Sequence, residues 1–158
     1  MHARTALSVL LLVATACAES IAPVEQLPAS DLRTVPLSVI VDGEALVLTA
    51  SLWRDFQPSS PPDGKPLVAV LRVSAADGGL VPVGIAIDAA WVVHGDAVWA
   101  TAVGEGRFAE PTPTFYEGVA RNGPKWGPGI TVDVVVRVRS GGETRMLRAA
   151  NQPIHRTD

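Results

Sequence analysis

From Val35 onward, hydrophobic and polar positions alternate along the chain with a period of two. Val35, Leu37, Val39 and Val41 fall on one face, between Pro36, Ser38 and Ile40. This repeat turns one side of an extended chain inward. Pro36 cannot donate to a ladder, so the segment predicts an edge strand. Asp42-Gly43 marks a turn, and Ala45–Trp53 follows with Leu46, Leu48, Ala50 and Leu52 on one face. Residues 35–53 therefore predict a first hairpin. After a loop whose prolines exclude a central strand, Leu67, Ala69, Leu71 and Val73 alternate with Val68, Val70 and Arg72. Both faces are apolar until Arg72, which predicts a central strand.

Asp77-Gly78-Gly79 breaks that run, and Val81–Ile87 predicts a short strand interrupted by Pro82. Residues 90–93 and 97–103 flank the turn His94-Gly95-Asp96, with Val92 inward and Trp91 and Trp99 as bulky packing groups. Residues 114–121 read as a strand ending at Asn122-Gly123, before the stiff loop Pro124-Lys125-Trp126-Gly127-Pro128-Gly129. The clearest pattern comes last. Ile130, Val132, Val134, Val136 and Val138 make an inward face against Thr131, Asp133, Val135, Arg137 and Arg139; Ser140-Gly141-Gly142-Glu143 turns the chain, and residues 144–150 return.

Composition agrees. Valine is abundant, Lys, Gln and Glu are sparse, and 13 prolines and 14 glycines punctuate the chain. Strands joined by turns are favoured. The expectation is an all-β domain over residues 35–158, with seven to eight mostly antiparallel strands in two sheets. Over residues 35–155 this resembles the immunoglobulin-like β-sandwich in architecture, although the Cys, Trp, Cys core of true immunoglobulin domains has no counterpart here.

The segment ahead of the domain differs in kind. Arg4 precedes an uninterrupted apolar run over residues 7–16 that ends at Cys17, the chain's only cysteine. Such a run is too short to span a bilayer and fits a secretory signal. A single free thiol exported to an oxidising compartment would lack a partner. Val13-Ala14-Thr15-Ala16-Cys17 resembles a bacterial lipobox. The resemblance implies cleavage after Ala16, a lipidated Cys17 bearing two or three acyl chains, palmitate-type among them, and attachment to a membrane of the cell envelope. It also implies outer-membrane sorting in a Gram-negative source, because Ala18 stands where Asp would retain the protein in the inner membrane. Residues 17–34, with Pro23 and Pro28, read as the lipidated cysteine and a flexible stem.

Removing residues 1–16 leaves 142 of the 158 residues, with 12 basic against 16 acidic side chains. That mild acidity argues against nucleic acid as a partner. No later run approaches the length of a membrane span. Catalytic constellations are equally scarce. His94 and His155 lie in different turns without metal-ligand spacing. No G-x-S-x-G elbow occurs, and Gly104-Glu105-Gly106-Arg107 lacks the strand-to-helix setting of a phosphate loop. The expectation is therefore a non-enzyme without metal or cofactor. The acid pairs Asp55 with Asp63 and Asp77 with Asp88 carry an alternative, an enzyme or Ca²⁺-binding protein built from loop carboxylates.

Aromatic and basic residues in the loops carry the main functional expectation. The predicted strand order puts loops 54–66, 94–96 and 140–142 at one end and loops 42–44, 75–84 and 104–129 at the other. The second end would collect Arg107, Phe108, Phe115, Tyr116, Arg121, Lys125 and Trp126. Arg107, Phe108, Arg121, Lys125 and Trp126 are the candidate interaction residues, because aromatic and Arg side chains on rigid loops anchor protein interfaces. The partner would be an envelope protein or a cell-wall component. Alternatively, Trp126 and Phe115 fold back to plug the end of the sandwich. Gly123-Pro124-Lys125-Trp126-Gly127-Pro128-Gly129 ahead of Ile130 also resembles the Arg-Pro-Trp loop of chagasin-type cysteine protease inhibitors. That family's Asn-Pro-Thr-Thr-Gly loop has no counterpart in this chain. The resemblance implies an immunoglobulin-like inhibitor acting through three loops at one end.

Overall fold

The structure, a computed structural model, describes residues 23–105 and 114–158. The strands are β1 (Ser38–Val41), β2 (Glu44–Asp55), β3 (Leu67–Ala75), β4 (Ala86–His94), β5 (Ala97–Ala102), β6 (Gly104–Glu105), β7 (Phe115–Gly123), β8 (Thr131–Ser140) and β9 (Glu143–Thr157), preceded by one helix, α1 (Ala29–Thr34). The protein is all-β, and its strands join into one curled mixed sheet ordered β5-β4-β8-β9-β2-β3-β7-β6, with β1 beside β2.

β9 makes the curl. Its first part pairs antiparallel with β8, from Ser140↔Glu143 to Val134↔Ala149. Asn151 then takes a positive φ of 55°, and residues 154–157 pair in parallel with residues 52–55 of β2. A register shift between Val132 and Val134 bends β8 beside the same corner. On the other side, Val103 N–H donates to the Asp88 carbonyl at 3.1 Å as the chain leaves β5 for β6 and turns to β7.

The curl encloses the alternating residues read from the sequence. Leu46, Leu52, Leu67, Leu71, Val92, Val134, Val136 and Leu147 are all buried in one core. Each such side chain contributes roughly 1.5–3 kcal/mol by leaving water. β3 lies between β2 and β7, so it is central, and β1 pairs with β2 alone, so it is an edge.

Three expectations are corrected. Residues 81–85 form no strand; Val81 and Ile85 anchor a loop in the core, and β4 starts only at Ala86. The described part of the segment read as a flexible stem is folded. Ala29 and Leu32 of α1, with Val24, Leu27 and Val35, cover Ala89, Trp91, Val93 and Val135 on the outer face of β4 and β8. Trp91 Nε1 donates to the Glu25 carbonyl at 2.8 Å, which satisfies a buried indole and pins the segment. The loop ends are also sorted differently. Ser140 Oγ donates to Asp42 at 2.7 Å, which places residues 140–142 beside the 42–43 turn. Residues 124–130 lie at the opposite end, with the 56–66 loop and the 94–96 turn. The cause is the β2–β9 parallel pair, a long-range contact that local alternation does not encode.

Candidate functional site

The end built from residues 54–66, 94–96 and 124–130 is organised by one side chain. Arg54, near the end of β2, is only 4% exposed. Its guanidinium donates to the carbonyls of Lys65 at 3.0 Å, Lys125 at 3.0 Å, Gly127 at 2.8 Å and also Asp63. These acceptors lie on two loops that are far apart in sequence. The fork geometry of arginine suits this task, since its five N–H donors are fixed in one plane. A buried cation without a carboxylate contact is tolerated here because several carbonyl dipoles replace its hydration.

Around this brace the loops are tied at many points. Lys65 N–H donates to the Asp55 carbonyl at 2.9 Å, and Phe56 N–H to the Thr157 carbonyl at 2.8 Å. Gly129 N–H donates to the Ile154 carbonyl at 3.0 Å. The Phe56 ring lies between Arg54 at 5.0 Å and Arg156 at 4.1 Å. Gly64, at φ +75°, approaches so closely that an added Cβ would sit 2.6 Å from that ring. Two ion pairs close the surface, Lys65 Nζ with Asp55 at 2.6 Å and Lys125 Nζ with Asp63 at 2.5 Å. The hydrogen bonds from these lysines are the main reason both carboxyls are held below the ordinary value of 3.8.

Lys125 is exposed, and Trp126 is half-buried with part of its surface packed on the core. The Trp126 ring also meets the His94 ring, with centroids 5.6 Å apart. Arg121 is exposed near the end of β7, with no ion pair among the described residues. Cys17, Arg107 and Phe108 lie outside the described residues. The residues flanking 106–113, Glu105 and Phe115, pair with Gly118 and Ser74, at the end of the molecule that holds residues 42–43. His155, opposite Trp53 in the β2–β9 pair, is exposed.

The chain matches no known protein-family model, no curated protein and no solved structure. Its own chemistry must carry the reading. Each carboxylate of the candidate acid pairs has a structural partner: Asp55 and Asp63 take lysines, Asp77 Oδ1 accepts from Gly79 N–H at 2.8 Å, and Asp88 binds Arg137 at 2.7 Å and Arg139 at 3.2 Å. No group of three potential metal ligands occurs among the described residues. A polar cleft of about 180 Å³ lies between Arg33, Gly95, Asp133 and Asn151. Its groups are also occupied: Asp133 accepts from Arg148 and from Asn151 N–H, and Arg33 donates to the Gly95 carbonyl. The cleft is smaller than the ~300–1,000 Å³ usual for a small-molecule site. Sequence reasoning passed over Arg54, although a lone arginine at the end of an apolar strand, ahead of a Pro-rich loop, was a signal.

Proposed function

We propose that the chain is a lipid-anchored, non-enzymatic module of a bacterial cell envelope. It binds another protein or an envelope component through the end formed by residues 54–66, 94–96 and 124–130. The observation that carries this reading is the Arg54 brace. A buried guanidinium that holds two loops by four carbonyls pre-orders a surface, and pre-ordered loops lose little freedom on binding. That surface offers an aromatic ring, paired charges and an exposed lysine. The anchor rests on the lipobox-like residues 13–17. The same reading takes the curled sheet as an immunoglobulin-like sandwich; support comes from the two facing groups of strands packed on one core.

Two measurements test the proposal. Intact mass and membrane flotation of the full-length protein, beside Cys17→Ser, test the anchor; acyl mass and flotation are expected only with Cys17. In-cell photocrosslinking from a probe at position 125, compared with position 144 at the opposite end, tests the surface. A discrete adduct is expected from 125 alone, and equal labelling from both positions would discard this end as the interface.

A second reading is favoured by one observation, that three loops including Lys125-Trp126 gather at one end as the chagasin-type resemblance implies. In that reading the protein blocks papain-like proteases. Undiminished papain activity with excess protein would remove it.

A further inference from the structure

We infer that the opposite end of the molecule, led by the loop at residues 76–85, rests on the surface of the bilayer that holds the anchor. This rests on the lipid-anchor reading above. Inside that loop Val81 and Ile85 are buried in the core, whereas Leu80 is 63% exposed and Val83 98% exposed. Ile40, at the same end of edge strand β1, is 60% exposed. The two inward residues hold the loop, so the outward pair stands as a fixed apolar tip. Large apolar side chains held out of a fold in this way mark a contact surface.

The path of the N-terminal segment selects the occupant. At the helix end, Arg33 donates to the Gly95 carbonyl, beside His94 and Trp126. Followed backward from there, the chain runs away from that end to Glu25, which is pinned on Trp91 and interacts with Arg137. Among the described residues, Val24 is the first apolar residue docked on the sheet. Val24 follows Cys17 by only seven positions, a reach of at most about 25 Å for an extended chain. That leash holds the body against the bilayer, and the apolar tip selects which face meets it. Tethering makes the contact effectively intramolecular, so a small insertion suffices.

Among the described residues of this end, Asp42, Glu44, Asp77 and Glu143 outnumber Arg139 and Arg145. Docking therefore relies on apolar contact with uncharged headgroups, and salt does not release it.

The test uses the full acylated chain in phosphatidylcholine vesicles, with an environment-sensitive fluorophore on Val83→Cys or, at the other end, on Ser59→Cys, and lipid-borne quenchers. Cys17 is blocked by its acyl group, which intact mass verifies on the same sample. The expected result is a blue shift and loss of emission at position 83, none at 59, no change in high salt, and loss of the effect when Leu80→Asp is added. Acylated protein with equal emission at both positions overturns the docking and leaves the anchor standing. Protein without acyl mass that fails to float overturns both, because the leash is what concentrates the tip at the membrane.

Discussion

The two ends of this sheet are closed by different means. At one end, long Pro-rich loops are cross-braced by Arg54, by Lys65 with Asp55 and by Lys125 with Asp63. At the other, tight turns at residues 42–43 and 141–142 are joined by the single Ser140–Asp42 hydrogen bond, and the 76–85 loop is held by Val81 and Ile85. The braced end spends polar bonds to fix loops that could otherwise move, and so it presents a defined surface. The two turns need little bracing, because short turns have little freedom to lose, and the longer 76–85 loop is fixed by burying two apolar side chains instead of by polar bonds.

Breaking the brace should have the largest effect. Arg54→Met keeps the aliphatic stem but strands carbonyls of both loops, and a loss of about 3 kcal/mol in chemical denaturation is expected. A loss below about 1 kcal/mol would mean that water replaces the guanidinium and that the loops are not held by it. Next comes Trp126→Ala, expected to cost about 2 kcal/mol because the ring is half-buried on the core, less than the loss for a fully buried tryptophan. An unchanged melting temperature would make Trp126 a pure contact residue.

At the turned end, Ser140→Ala removes one hydrogen bond and should cost about 1 kcal/mol. A cost equal to that of Arg54→Met would erase the contrast between the ends. Lys125→Met should have the smallest effect, seen as a change in pH dependence. Asp63 has a lowered carboxyl value in the folded state, so its contribution is present above the ordinary value of 3.8 and is lost as pH falls below it. The wild type should therefore lose melting temperature on acidification below 3.8 more steeply than Lys125→Met, and parallel curves would show that the pair adds nothing.

Much of the fold was legible in the sequence because period-two alternation reports burial directly. Residues 38–41, 44–53, 67–73 and 131–138 sit in the strands expected of them, whereas the expected start of the first strand fails at residues 35–37: Val35 caps α1 and Leu37 is exposed instead of inward. The folded N-terminal segment was harder to read, since α1 is six residues long and lies between Pro28 and Pro36. A signal existed: Val135, Trp91 and Ala89 put apolar groups on faces that should have been polar, and such a face needs a cover. The sorting of loops between the ends was not legible. It depends on β9 changing partners at Asn151, and only the distant strand β2 reveals where that residue leads.

The docked N-terminal segment has a mechanical consequence. Among the described residues, force applied from the N-terminal side would first load Val24 and Glu25, where one indole hydrogen bond and a few apolar contacts hold the chain, and then reach α1 and edge strand β1. These elements are loaded one after another, as in a zipper, so a pull from the N-terminal side peels a short outer strip before any central strand bears tension. The body of the sheet is thereby insulated, and the strip acts as an extensible spring ahead of the domain.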